Sequence, residues 1–203
     1  MTVATSMSGR LAGRIGPNAI TRVAEVLPLF VGARTTGQLF EAAGLAGYLQ
    51  HPPQDMVEEA EVSRLHSVLR ARLGDDLASH VARRAGLRTA DYLLAHRIPK
   101  AVQTVLKVLP AALAARVLLA AIRRHAWTFS GSGVFVAKAG LPCVLTIAGN
   151  PLCKGVSAAE PSCCFYAATF ERLFRVLVHR DARVVETACE ACGAEACRFE
   201  VHW

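Results

Sequence analysis

The sequence predicts an α+β fold in which N-terminal helices pack on a mostly antiparallel sheet that is crossed by one helix. Three observations support this class. Apolar residues recur at helical spacing through about the first 125 residues. Short β-type runs follow, and the last of them alternates between apolar and polar side chains. A single helical stripe separates the earlier runs from the later ones, and helices followed by strands are typical of α+β domains.

Proline and glycine mark where the predicted helices begin and end. Pro17 suits the first turn of a helix, and Pro28 should stop that helix because the residue before a proline avoids helical backbone angles. Gly74 separates two further periodic segments. We therefore predict helices over residues 17–30 with an end before Pro28, 36–48, 56–73 and 75–96.

Residues 101–122 are apolar and about long enough to span a bilayer. However, Lys107 and Arg116 fall inside this segment, and each charge costs about 2.5–3.5 kcal/mol at the middle of a bilayer. Pro110 also interrupts the segment. We therefore predict two short helices here, with peripheral membrane contact at most.

The second half of the chain contains β-type sequence. Residues 126–129 and 133–138 flank a Ser-Gly-Ser-Gly turn and predict a hairpin or meander that continues into residues 143–148. Alternation at the C-terminus predicts a sheet with one buried and one solvated face. The remaining predicted elements are a helix over residues 163–178 and strands over residues 183–188 and 197–203.

Composition favours one cytoplasmic domain. The 203 residues are 53% hydrophobic, which suits a packed core and excludes a disordered binding segment. The net charge of +7 is not gathered in one long Lys/Arg block, so nucleic acid is not an expected partner. The N-terminus lacks the basic start and apolar run of a signal peptide, which favours a cytoplasmic location. We expect a loose segment over residues 1–12 and a single ligand-binding domain over residues 13–203.

Three of the seven cysteines, Cys189, Cys192 and Cys197, fall within nine residues. In a reducing compartment this clustering favours a metal over disulfides, and thiolates suit a tetrahedral structural zinc. Cys143 and Cys153 lie in or beside strand-like sequence and are predicted to be core residues. A further zinc ligand has to come from elsewhere, and the sequence offers Cys163, Cys164 and Glu186.

Four stretches of the chain carry a family resemblance together with the cysteine cluster. They are GRIGPNAI at 13–20, ADYLLAHRIP at 90–99, HAWTFSGSG at 125–133 and AGNPL at 148–152. Their joint occurrence resembles the 4-vinyl reductase domain family, and within it the members that serve bacteriochlorophyll biosynthesis. The resemblance extends over about residues 13–203.

This resemblance implies a fold shared with zinc-containing ligand-sensor domains, a homodimer and an enclosed apolar pocket. It also implies the zinc ligands, because the sensor relatives hold zinc through a Cys, a Glu and two further Cys near the C-terminus. The corresponding residues here are Cys163, Glu186, Cys189 and Cys197, with Cys164 and Cys192 as alternates.

For these members the family label is reduction of the 8-vinyl group of divinyl protochlorophyllide. That reaction needs a hydride or electron source, and Gly131-Ser132-Gly133 lacks the third glycine of a dinucleotide fingerprint. We therefore expect a carrier or substrate-delivery factor that binds a magnesium tetrapyrrole, protochlorophyllide or a precursor. Its partners would be other bacteriochlorophyll-biosynthesis enzymes. A vinyl reductase and a small-molecule sensor remain alternatives, so catalysis itself is left open.

Histidine and aromatic side chains predict where such a ligand binds. A histidine can ligate magnesium, an arginine can pair with a propionate, and flat rings can stack on a macrocycle. The preferred magnesium ligand is His125, with His96 second. The predicted ligand-binding residues are Tyr92, His96, His125, Trp127 and Phe129.

Overall fold

The computed structural model describes residues 13–203, so the predicted loose segment over residues 1–12 lies outside the described residues. Helices occupy the first part of this range, and a four-stranded antiparallel sheet with one inserted helix follows. The predicted α+β class is therefore confirmed. The helices are α1 (Asn18–Val26), α2 (Pro28–Ala42), α3 (Gly47–Gln50), α4 (Glu59–Leu73), α5 (Asp75–His96), α6 (Lys100–Val108), α7 (Ala111–Arg124), α8 (Trp127–Ser130) and α9 (Cys164–Leu177).

The strands form two antiparallel groups. A two-stranded group pairs β1 (Arg14–Ile15) with β2 (Val57–Glu58), and the sequence did not predict it. The four-stranded sheet has the order β3-β4-β6-β5. Its strands are β3 (Val134–Lys138), β4 (Cys143–Ala148), β5 (Arg183–Ala188) and β6 (Cys197–His202).

The first two helices differ from their predicted boundaries. Pro28 does end the first helix, but it also begins α2 directly, because proline fits the first turn of a helix. The second helix was predicted to begin at residue 36 and therefore begins too late. Gly32 interrupts α2 with a φ of 76°, a left-handed angle that glycine adopts without steric cost.

The predicted strand over residues 126–129 is wrong, since the structure forms the short helix α8 there. Local hydrogen bonds explain the difference. The Thr128 hydroxyl donates to the carbonyl of His125 at 2.7 Å, and the Ser130 hydroxyl donates to the carbonyl of Ala126 at 2.9 Å. Gly131, with a φ of 58°, then ends the helix and turns the chain toward β3.

The apolar segment over residues 101–122 divides as predicted. Pro110 separates α6 from α7, and the backbone is extended at Leu109 because the following proline disfavours helical angles there. Within residues 13–203, every helix is too short or too polar to cross a bilayer.

Helix α9 joins the two halves of the core by packing on α5 and on β5. The backbones of α5 and α9 come close at Gly86, where a Cβ atom would overlap the carbonyl of Phe165. In β6, Cys197, Phe199 and Val201 are buried whereas the alternate residues are at least partly exposed. The predicted alternation of buried and solvated faces is therefore confirmed for this strand.

Candidate metal centre and ligand surface

Four buried cysteine side chains meet beside the sheet, although they come from four places in the sequence. Cys153 ends a 3-10 turn (Pro151–Cys153) that follows β4, and Cys163 immediately precedes α9. Cys189 follows β5, and Cys197 begins β6. All four Sγ atoms lie within 4.8 Å of one another. We call these residues the cysteine group.

The spacing of the sulfur atoms fits a tetrahedral metal. The Sγ atom of Cys153 lies 3.2 Å from that of Cys163, 3.5 Å from that of Cys197 and 3.8 Å from that of Cys189. A zinc ion with Zn–S bonds of about 2.3 Å places its sulfurs about 3.8 Å apart. A disulfide would need about 2.05 Å. The cysteine group therefore fits a metal, and its members are free thiols.

Asn150 supports two members of the cysteine group from behind. It is fully buried, and its Nδ2 atom donates to the Sγ atoms of Cys163 at 3.1 Å and Cys197 at 3.2 Å. Its Oδ1 atom accepts from the amide of Leu152 at 2.9 Å, which fixes the side-chain orientation. Donors aimed at sulfur stabilise thiolates, so Asn150 prepares the group for a cation.

The four thiols titrate as one set. Hydrogen bonds from neighbouring thiols, that of Cys153 first, lower the pKa of Cys189 far below its ordinary value. The same kind of contact raises the pKa of Cys163, because a second thiolate would face the first at close range. The protein alone therefore favours one negative charge here, and a bound cation is needed to hold all four sulfurs as thiolates.

The cysteine group contains three of the four predicted zinc ligands: Cys163, Cys189 and Cys197. Its fourth member is Cys153, which was predicted to be a core residue. Cys153 is indeed buried, but its Sγ atom faces the other three sulfurs. The sequence held one usable signal for it, since it lies only ten residues before Cys163.

Glu186, the fourth predicted ligand, lies beside the cysteine group rather than in it. Its Oε2 atom accepts the amide hydrogen of Cys163 at 2.7 Å, and its Oε1 atom is buried without a hydrogen-bond partner among residues 13–203. Burial, followed by the nearby Cys189 thiolate, raises the pKa of Glu186 to about 8. The two alternates lie outside the group: the Cys164 side chain is partly exposed, and the Cys192 side chain is exposed.

The predicted ligand-binding residues occupy separate parts of the described surface and core. Tyr92 and His96 are exposed on α5 with their ring centroids 4.9 Å apart, and the Arg22 guanidinium lies 4.8 Å from the Tyr92 ring centroid. Phe129 is half-buried and contacts the rings of Phe135, Tyr166 and Phe170.

His125 and Trp127 lie at the C-terminal end of α7. The side chain of Trp127 is 60% exposed. His125 is also exposed, and it lines an open surface depression of about 550 Å³. Residues 120, 121 and 124 line it as well, and they are two alanines and an arginine. We call this feature the α7 depression.

The comparisons with known proteins agree with this architecture. The 4-vinyl reductase domain matches residues 143–203, a range that includes the whole cysteine group. Fold and site thus define a protein of the 4-vinyl reductase domain class. The chain is 46% identical to the bacteriochlorophyll synthase 23 kDa chain of Cereibacter sphaeroides, over 94% of this chain and 91% of that protein. The protein of the same name from Rhodobacter capsulatus is 39% identical, over 93% and 87%. The chain belongs to the family of these 23 kDa chains.

Solved structures with the same fold include ligand-sensing domains. An H-NOX protein from K. algicida superposes with a TM-score of 0.62 at 10% identity, over 93% of this chain and 96% of that one. An H-NOX structure described for its heme distortion gives 0.58 at 10% identity, over 93% and 95%. The phenol-responsive sensory domain of PoxR gives 0.53 at 15% identity, over 71% and 74%. At these identities the likeness concerns the fold alone.

Proposed function

We propose that the protein serves bacteriochlorophyll biosynthesis by binding a magnesium tetrapyrrole, protochlorophyllide or a precursor, and delivering it to an enzyme. Family membership supports the pathway, because relatives that match nearly the whole chain are named as a chain of bacteriochlorophyll synthase. The ligand class has support from the fold, since one H-NOX neighbour is described by its heme, which is also a tetrapyrrole.

The α7 depression is the observation on which the binding site rests. Ala120 and Ala121 give it a floor without bulky side chains, and its volume is typical of small-molecule sites. The imidazole of His125 supplies a nitrogen ligand for magnesium. The guanidinium of Arg124 supplies a partner for a propionate carboxylate. Trp127, two residues further on, offers an exposed flat ring to the macrocycle.

The openness of the α7 depression suits delivery. A macrocycle held there from one side keeps its other side accessible, so a partner enzyme can take it without the protein unfolding around it. The partners are then other bacteriochlorophyll-biosynthesis enzymes, as expected from the sequence. A cytoplasmic homodimer also remains part of this proposal.

We propose zinc as the metal of the cysteine group, with a structural role. Four thiolates are the ligand set that structural zinc prefers, and four protein ligands leave no open position for a substrate. The ion would tie the end of β4, the start of α9 and the start of β6 together. The alternative set from the sequence replaces Cys153 by Glu186, and single substitutions separate the two sets.

Pigment titration tests the proposed binding. Adding protochlorophyllide to the purified protein should shift the pigment's absorption and quench its fluorescence, with saturation at one pigment per chain. His125→Ala should weaken binding at least about tenfold, the scale for losing a ligand interaction of about 1.4 kcal/mol. His80→Ala, an exposed histidine on α5, is the matched control and should bind normally.

An unchanged spectrum at micromolar pigment would rule out the carrier. The same sample also tests the vinyl reductase alternative. If divinyl pigment is converted to the monovinyl form on adding reduced nicotinamide, the protein is a catalyst rather than a carrier alone.

A further inference from the structure

Positive charge is concentrated in one stretch of the chain. Residues 92–159 contain eight Lys and Arg residues and no Asp or Glu. The rest of the chain is close to neutral, so the net charge of +7 arises from this stretch. It includes α6, α7 and the hairpin of β3 and β4. A surface built from these elements attracts anionic partners.

The same stretch also exposes large apolar side chains. On α6 they recur at every third residue, and Val105 and Val108 are 55% and 77% exposed. On α7 they lie four residues apart, on the side opposite the buried Leu118 and Leu119. The exposed members on the two helices are Val102, Val105, Val108, Leu113 and Val117.

The turn between β3 and β4 extends this surface. Leu141 in that turn is 74% exposed. It lines one surface depression together with Arg116 and Ala112 of α7, so helix and turn are neighbours. The basic residues in or next to these elements include Lys107, Arg116 and Lys138, all exposed. We call the outer sides of α6 and α7 with this turn the basic apolar face.

We propose that the basic apolar face docks on an anionic membrane surface. The valine and leucine side chains would enter the headgroup region, and the lysine and arginine side chains would reach lipid phosphates. Amphipathic helices that combine an apolar face with Lys and Arg bind membranes in this way, and each basic residue near the surface contributes about 1 kcal/mol. This docking goes beyond the proposed pigment binding and uses residues outside the α7 depression.

A second copy of the chain is a poor occupant for this face. A two-fold interface would bring the face against itself, and its Lys and Arg residues would then meet like charges. An acidic protein would satisfy the charge, but the exposed valines and leucines favour a partner with an apolar layer beneath its charge. A bilayer with anionic headgroups supplies both.

Vesicle flotation tests the proposal. The full chain should float with vesicles of phosphatidylcholine mixed with phosphatidylglycerol, and salt should release it because the attraction is electrostatic. Vesicles of phosphatidylcholine alone should bind it weakly. Failure to float with the mixed vesicles at low salt would overturn the proposal.

Matched variants distinguish the face from net charge. The triple variant Lys107→Gln, Arg116→Gln, Lys138→Gln should partition about 100-fold less, from about fivefold per charge. The control triple Arg72→Gln, Arg84→Gln, Arg88→Gln removes the same charge from exposed positions of α4 and α5 and should float like the wild type. Equal losses in both triples would contradict docking through this face.

The apolar contribution needs a separate variant. Val105→Ser with Val108→Ser should lower partition about tenfold, since two exposed side chains no longer enter the headgroup region. If this variant instead abolishes a dimer that the wild type forms without lipid, the face joins two copies and the proposal fails. If an acidic partner protein competes fully with vesicles and the valine variant binds both normally, the membrane is not the occupant. Pigment titration of the same variants should stay unchanged, which separates this test from that of pigment binding.

Discussion

At the scale of single residues, Cys153 completes the cysteine group although its local sequence reads as core. It is 36 residues from Cys189, and only the turn through Asn150 and Leu152 brings its Sγ atom to the others. Cys189 and Cys197 were predictable because they flank one short turn. Gly193, with a φ of 88°, closes that turn as expected. Spacing therefore predicts ligands within a turn, whereas a ligand from another element depends on the fold.

Substitution of Cys153 tests its membership of the cysteine group. Cys153→Ser should lose the zinc and lower the unfolding temperature by about 10 °C or more, given about 2–4 °C per kcal/mol for a chain of this size. Metal analysis and a thermal melt measure both. Cys192→Ser removes an exposed thiol and should keep full zinc content.

Glu186→Gln provides the opposite test on the same assay. If Cys153 is the fourth ligand, this variant should retain zinc. A zinc-free Glu186→Gln protein together with a zinc-loaded Cys153→Ser protein would establish the predicted set with Glu186 instead.

Asn150 should control how tightly the metal is held. Asn150→Ala leaves the four thiols in place but removes both donors to sulfur. Loss of such outer hydrogen bonds costs about 10–100-fold in metal affinity. Competition with a chelator should therefore strip zinc from the variant at correspondingly lower concentrations. Unchanged competition would mean that the two N–H to sulfur contacts do not stabilise the bound metal.

At the scale of secondary-structure elements, Glu59 links three segments that the sequence left unconnected. It is the first residue of α4, and it accepts hydrogen bonds from the amide and hydroxyl of Ser132 at 2.8 and 2.7 Å. Lys154 forms an ion pair with the same carboxylate. A Cβ atom at Gly13 or Gly131 would overlap this carboxylate. The glycines of two motifs that carry the family resemblance therefore make room for Glu59.

The Glu59 contacts should make stability depend on pH. Burial opposes ionisation, but hydrogen bonds from Lys154 and Ser132 outweigh it and hold the pKa of Glu59 below its ordinary value of 4.5. A lowered pKa means that this stabilisation is present above pH 4.5 and is lost as the pH falls through the folded-state pKa. Glu59→Gln should cost about 2 kcal/mol at neutral pH and flatten that acid dependence.

Denaturant unfolding at several pH values measures this effect. Glu58→Gln alters the exposed neighbouring carboxylate and should behave like the wild type. An equal acid dependence in wild type and Glu59→Gln would show that this carboxylate does not contribute.

Element prediction succeeded where a period extends over several turns. The ranges of α5, α9, β4 and β5 agree closely with the predictions because apolar spacing alone defines them. It failed in short segments such as α8, where two hydroxyl hydrogen bonds decide between helix and strand. The short pair of β1 and β2 also escaped prediction, because two residues carry no period.

At the scale of the whole molecule, the order of helices and strands was sufficient to predict the α+β class, and the ligand surface was not. Tyr92 and His125 both lie in or beside helices with similar apolar patterns, so the sequence grouped them in one pocket. The described structure places Tyr92 beside Arg22 and His125 at the α7 depression. Which helix ends meet is a property of tertiary packing, and one sequence does not contain that information in readable form.

The most direct test of pigment binding compares magnesium protochlorophyllide with the same macrocycle lacking magnesium. If His125 ligates the metal, the wild-type protein should bind the magnesium form at least about tenfold more tightly, the equivalent of about 1.4 kcal/mol. His125→Ala should bind both forms with the same weaker affinity. Equal affinity of the wild type for the two pigments, or a magnesium preference that survives in His125→Ala, would contradict a magnesium tetrapyrrole site at the α7 depression.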